Sequence, residues 1–163
     1  MKPKTQHQLN NPDLVEMKTN IVPDNKEIII FLVDDDPLYL KSLEFEFCQN
    51  PNLKIITFLK SQACIEKLFL NPDVIILDYI LTIPHEKALD GLQTLIKIKE
   101  TLPNTQVIML SALESVEVAT NSLKLGASDY VVKNRNTFTH LKAHIKKHLG
   151  INSKEKELIV WDW

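Results

Sequence analysis

Five short apolar runs, each followed by an amphipathic segment, constrain this chain more than any other feature. The first, Ile28-Ile29-Ile30-Phe31-Leu32-Val33, is continuous and rich in β-branched residues, the pattern of a strand buried on both faces. Runs at 54–58, 73–78, 106–110 and 128–132 repeat it. Helical spacings lie between them. Pro37 follows Asp34-Asp35-Asp36 and suits the first turn of a helix carrying Leu40, Leu43 and Phe47. Ser61 is expected to cap a second helix with Cys64, Ile65, Leu68 and Phe69 on one face. Asp90-Gly91 opens a third, with Leu92, Leu95 and Ile96. A fourth is expected over 114–125, closed by Gly126, and a fifth over 137–149, with Leu141, Ile145 and Leu149 inward. Five strands alternating with five helices over residues 27–149 predict an α/β fold, a doubly wound parallel sheet covered on both faces. Ligands of such sheets sit at the carboxyl ends of strands, at the topological switch point.

Composition narrows the functional class. The chain has 163 residues, 44% hydrophobic and 25% charged, enough for one core without disulfides or metals to staple it. No apolar run approaches the roughly 20 residues of a membrane span. Residues 1–26 are polar, with Pro3, Pro12 and Pro23 and no apolar stretch, so a flexible arm is expected rather than a secretory signal. Cys48 and Cys64 show no metal-ligand spacing, which fits a reducing cytoplasm. Net charge is −2, and Arg135 is the one arginine among 19 basic residues. That argues against a nucleic-acid partner, and Lys142, Lys146 and Lys147 lack interleaved aromatics. His140, His144 and His148 share a helix face. With no carboxylate or cysteine on that helix to complete a metal shell, a solvated flank is expected. Residues 150–163 form a tail ending in Leu158-Ile159-Val160-Trp161-Asp162-Trp163, expected to dock on its own domain or on a dimer mate.

The chemistry concentrates at strand ends. Strand 1 ends in Asp34-Asp35, strand 3 in Asp78, strand 4 in Ser111 and strand 5 in Lys133. Any one of these reads as turn or cap chemistry; four on one rim do not. Clustered carboxylates repel and call for a cation, and Mg²⁺ suits carboxylates with room for water. A divalent ion, a lysine and a hydroxyl facing one nucleophilic carboxylate suit phosphoryl transfer, with Asp78 forming an acyl phosphate.

Four stretches, LVDDDP (32–37), PDVIILD (72–78), IMLSA (108–112) and GASDYVVK (126–133), make the chain resemble the receiver domains of two-component response regulators. The resemblance covers residues 27–149. It implies a flavodoxin-like (βα)5 fold with strand order 2-1-3-4-5. By position it implies that Asp78 is the phosphoacceptor, and that Asp34, Asp35, Asp78 and the Ile80 backbone carbonyl surround Mg²⁺. It implies that Ser111 is the switch hydroxyl, with the Ala112 amide supporting the phosphoryl group. Lys133 then pairs with acceptor and phosphoryl, and Tyr130 is the switch aromatic. It implies a bacterial, cytoplasmic signalling protein that draws phosphate from a histidine kinase or phosphotransfer protein, catalyses its own phosphorylation and dephosphorylation, and acts without an output domain by binding another protein. A homodimer through helix 4, strand 5 and helix 5, or through the tail, is a further expectation.

Two departures stand out. Receivers usually follow the lysine with proline, joined by a cis bond; here Asn134 follows Lys133. A non-proline cis bond costs about 2.5–4 kcal/mol, so a trans, differently shaped loop is expected, with consequences for where the ammonium lies. Gly91 lies thirteen residues past Asp78, about five beyond the family's usual spacing, and a surface insertion of that size is thermodynamically tolerable. Ile80 and Leu113 occupy positions that flank the path of attacking water in receivers, and their apolar character implies slow autodephosphorylation. Two alternatives remain on the sequence. A haloacid-dehalogenase-like phosphatase would use Asp34, Asp36, Ser111 and Lys133, but it needs a later acidic pair and leaves Asp78 unused. A degenerate receiver that only binds partners would not need the complete acidic set.

Overall fold

The opening run forms β1 (Ile28–Val33), with five of its six residues buried. The computed structural model describes residues 27–81 and 90–148. After β1 come α1 (Pro37–Phe47), β2 (Leu53–Phe58), α2 (Ser61–Glu66), a 3-10 turn (Leu68–Leu70), β3 (Val74–Asp78) and α3 (Gly91–Thr101). Then follow β4 (Gln106–Ser111), α4 (Val116–Lys124), β5 (Asp129–Val132) and α5 (Thr137–His148). All strand pairings are parallel, and the order is β2-β1-β3-β4-β5, as the resemblance implied. The expected arm 1–26, most of the long loop (82–89), Leu149 and the tail 150–163 lie outside the described residues.

Strand alternation divides the core into two layers. Ile30, Leu32, Ile76, Ile108 and Leu110 face α1 and α5, where Leu40, Leu43, Phe47, Leu141 and Ile145 meet them. Phe31, Val33, Ile75, Leu77, Val107 and Met109 face the other side, against Cys64, Leu68, Leu95 and Ile98. Each such side chain contributes roughly 1.5–3 kcal/mol by leaving water. The inner strands β1, β3 and β4 are thus buried on both faces, which is why they run almost continuously apolar, whereas the edge strand β2 exposes Lys54 and Thr57.

Local chemistry sets the helix ends. Asp36 caps α1, its carboxylate accepting the Leu38 and Tyr39 N–H groups. Asp90 and Gln93 form a reciprocal capping box at α3. Ser115 caps α4 by accepting from Val118 N–H, so that helix starts at Val116 and not at residue 114. Gly126, at φ +100°, follows its last turn. Three expectations need correction. Ser61 is the first residue of α2 rather than its cap; Lys60 holds the cap position. The helix gives way to the 3-10 turn, which rotates Phe69 outward while Leu68 stays buried. On α3 the buried face is Gly91, Thr94, Leu95 and Ile98, and Ile96 is partly exposed. Among the described residues no helix is long and apolar enough to cross a membrane.

Cys64 is fully buried, and burial pushes its thiol up to about 12, whereas Cys48 is exposed. A raised folded-state value makes a stabilising contribution that is complete below the unfolded thiol's value. It is lost as pH rises through about 12. At pH 8 a disulfide reagent is expected to label one thiol promptly and the second only at the rate of unfolding. Two equally fast thiols would contradict the packing of α2 described here.

Candidate functional site

Register brings the polar strand ends together before any side chain is considered. Val33 pairs with Leu77, so the residues that follow, Asp34 and Asp78, emerge side by side. Tyr79 N–H donates to Leu110 O at 2.7 Å, and Lys133 N–H donates to Ser111 O at 2.7 Å. Asp34, Asp78, Ser111 and Lys133 therefore reach one rim of the sheet, at the switch point where connections from β1 and β3 diverge.

At the centre lies the Lys133 ammonium. Its Nζ is 2.7 Å from Asp34 Oδ2 and 2.9 Å from Asp78 Oδ1. Both acids are nearly inaccessible, at 1% and 4% exposure, so the ion pairs form where water screens them poorly. Burial pushes the Asp78 carboxyl up to about 6; Lys133 pulls it down without cancelling the effect, and the charges of Asp34 and Asp35 push it further up. Burial would lower Lys133, but its hydrogen bonds to Asp34 and Asp78 outweigh that and raise it, keeping the ammonium charged. The bond after Lys133 is trans, as expected from Asn134 in place of proline. No described peptide bond is cis, yet the ammonium reaches both acids. The following loop is closed by its own polar groups: Asn134 N–H donates to Thr137 Oγ1 at 2.7 Å, and Asn136 N–H to Asn134 Oδ1 at 2.8 Å.

One carboxylate oxygen each from Asp34, Asp35 and Asp78 lies within 4.8 Å of the other two, the one such cluster of potential metal ligands among the described residues. Three hard oxygens, fewer than an octahedral shell requires, fit Mg²⁺ with waters or phosphoryl oxygens completing it. Ile80, expected to add a backbone carbonyl, follows two residues after Asp78 and is 44% exposed. Asp36 is not part of the cluster, because its carboxylate caps α1. The phosphatase alternative would need Asp36 in the site, so it loses that support.

Ser111 is buried, and its Oγ accepts the Leu113 N–H at 3.0 Å. The half-buried Tyr130 donates its phenolic O–H to Leu113 O at 2.7 Å. The expected switch hydroxyl and aromatic thus hold the same residue of the β4–α4 connection. Ala112 lies between Ser111 and Leu113 on that connection. Beyond the site, His144 pairs with Asp129 at 3.1 Å, and Lys142 pairs with Glu46 of α1, so part of the expected solvated flank is tied to neighbouring elements. No sequence pattern marks Tyr39, whose ring faces the Lys133 ammonium at 4.4 Å; an aromatic in the first turn of an amphipathic helix reads as core.

The start of α3 meets the residues that end β3. Gly91 N–H donates to Tyr79 O at 3.2 Å. A β-carbon at Gly91 would lie 2.5 Å from Asp78 O and 2.6 Å from Tyr79 O. The start of α3 is therefore in close contact with the backbone of Asp78 and Tyr79.

Comparison with known proteins agrees with this geometry. The model of the response regulator receiver domain matches residues 30–146. A protein-glutamate methylesterase/protein-glutamine glutaminase of Methanosarcina mazei is 37% identical over 63% of this chain, which spans 27% of that protein. The chemotaxis protein CheY of Listeria monocytogenes is 26% identical over 63% of this chain and 83% of its own. Among solved structures, a chain in the CheX–CheY–BeF3–Mg²⁺ complex of Borrelia burgdorferi is 27% identical over 75% of this chain and 89% of that one, with a TM-score of 0.64.

Gly91→Ala is expected to cost about 1–3 kcal/mol, because the neighbours it would strike are backbone atoms that cannot rotate away. Urea unfolding checks this. A variant as stable as the parent would show that the contact of Gly91 with the Asp78 and Tyr79 backbone is looser than described.

Proposed function

We propose, from the premise that this chain belongs to the response regulator receiver domain family, that Asp78 accepts a phosphoryl group from a phosphohistidine and so switches the chain's protein contacts. The observation that carries the proposal is the Lys133 bridge between Asp34 and Asp78 beside a three-carboxylate cluster. Receiver domains act in two-component signalling and generally bind Mg²⁺ at an acidic pocket. Here Asp34, Asp35 and Asp78 would hold the ion, with the Ile80 carbonyl, and when bound it supplies positive charge to the phosphoryl oxygens.

On this reading an ionised Asp78 oxygen attacks phosphorus as the bond to the donor's imidazole nitrogen breaks, and an acyl phosphate forms. Lys133 keeps Asp78 deprotonated and afterwards faces the added charge. Ser111 donates its hydroxyl hydrogen to a phosphoryl oxygen, supported by the Ala112 amide. Turning Ser111 toward that oxygen competes with its bond to Leu113 N–H, the residue whose carbonyl tethers Tyr130. Phosphorylation thereby biases the β4–α4 connection and Tyr130 between two arrangements.

The donor is a sensor kinase or a histidine phosphotransfer protein, and the site of action is the cytoplasm. The output is a changed surface around α4, β5 and α5, read by a partner protein or by a second copy of the chain. A Borrelia burgdorferi relative in complex with CheX, BeF3 and Mg²⁺ supports a receiver that binds a protein in its phosphoryl-mimic state. Apolar Ile80 and Leu113 at the rim favour a long-lived acyl phosphate.

Intact-mass spectrometry after incubation with acetyl phosphate and Mg²⁺ tests the proposal. One added phosphoryl group is expected on the parent, and none on Asp78→Asn or in EDTA. An adduct that survives in Asp78→Asn overturns the assignment of the acceptor. No adduct on the parent with acetyl phosphate or with a panel of histidine kinases leaves a degenerate, binding-only receiver as the account.

A further inference from the structure

A lysine on a four-carbon stem does not hold one position by itself. The Lys133 backbone is fixed by its bond to Ser111 O, but its ammonium must cross to β1 and β3 to meet Asp34 and Asp78. An ammonium has three N–H donors. Two are directed at the carboxylates, and the Tyr39 ring occupies another side, its centroid 4.4 Å from Nζ. Lys133 remains only 19% exposed at its side chain, so this cation–π contact is partly desolvated, where such contacts are strongest.

The ring itself is held. The Tyr39 N–H donates to Asp36 Oδ1 at 3.2 Å in the α1 cap. The ring packs against the α1–α5 core layer. Burial raises its phenol group, an effect that the Lys133 charge and a side-chain hydrogen bond with Thr137, in the first turn of α5, offset in part. Thr137 is also the residue that closes the loop after Lys133 by accepting from Asn134 N–H. Tyr39 thus connects the cap of α1, the start of α5 and the charged end of Lys133.

We propose that Tyr39 is a positioning residue for Lys133: its ring confines the ammonium to the space between Asp34 and Asp78. In this chain the lysine is followed by Asn134 rather than proline, and the ring face supplies a constraint that the loop's backbone does not. The functional half of this proposal rests on Asp78 being the phosphoacceptor; the geometric half does not.

The test compares the parent, Tyr39→Leu and Tyr39→Phe, each alone and combined with Lys133→Ala. The initial rate of acyl-phosphate formation from acetyl phosphate is one readout. Tyr39→Leu is expected to slow it about tenfold, the size of a partly desolvated cation–π contact, and Tyr39→Phe, which keeps the ring, to recover most of the loss. On the Lys133→Ala background the leucine substitution is expected to have no further effect. A parental rate for Tyr39→Leu, or an equal slowing without Lys133, overturns the proposal, since the ring would then act on folding or on something else.

The second readout is the proton chemical shift of the Lys133 ε-methylene, which a ring face moves upfield. The shift is expected in the parent and in Tyr39→Phe and is expected to vanish in Tyr39→Leu. Identical shifts in all three overturn the geometry. If the parent takes no phosphoryl group, the acceptor assignment fails, and this second readout alone decides the placement of Lys133.

Discussion

One positive charge shared by two buried carboxylates organises this molecule. Lys133 bridges Asp34 and Asp78 at 2.7 and 2.9 Å, and both acids are nearly inaccessible. Removing the ammonium would leave like charges facing each other in a poorly screened space. The bridge also spans the sheet, joining the ends of β1, β3 and β5. The three strands meet there only because their registers are fixed by a core buried on both faces. The apolar runs and the acidic rim are two aspects of one design: continuous hydrophobic strands set the register, and the register sets the distances between charges.

The same arrangement separates a firm part from a loosely held part. Both core layers are filled by long side chains from α1, α2, α3 and α5. By contrast, α4 buries only Ser122 along its length, and Val116 at its start is 85% exposed. Helices with few buried apolar contacts open or shift at small free-energy cost. What fastens the β4–α4 connection is polar: Ser111 on one side of Leu113 and Tyr130 on the other. A chemical change at Asp78 that redirects the Ser111 hydroxyl therefore acts on the part of the fold least able to resist it.

Much of this was legible in the sequence, for physical reasons. A strand buried on both faces has to be continuously apolar, so Ile28–Val33 and its successors could be read as a parallel sheet. Polar residues that end such strands have to gather on one rim, so Asp34, Asp78, Ser111 and Lys133 could be placed together. What could not be read depended on side chains meeting across elements. Phe69 points outward because α2 tightens into a 3-10 turn, and no local spacing announces that. Lys133 reaches its partners without a following proline because Asn134 and Thr137 close the loop with their own hydrogen bonds. Tyr39 meets Lys133 across 94 positions of sequence, and an aromatic at a helix start carries no sign of such a partner. Gly91 lies thirteen positions past Asp78, and no local spacing signals that it packs against the backbone of Asp78 and Tyr79.

The central claim is that these residues form one phosphoryl-binding site coupled to the β4–α4 connection. Amide NMR spectra recorded during titration with beryllofluoride and Mg²⁺ test it most directly. The account predicts saturable shifts at Asp78 and its neighbours, at Ser111, Ala112 and Lys133, and onward at Leu113 and Tyr130, all absent in Asp78→Asn. Shifts that do not saturate, that persist without Asp78, or that stop short of Leu113 and Tyr130 would contradict it.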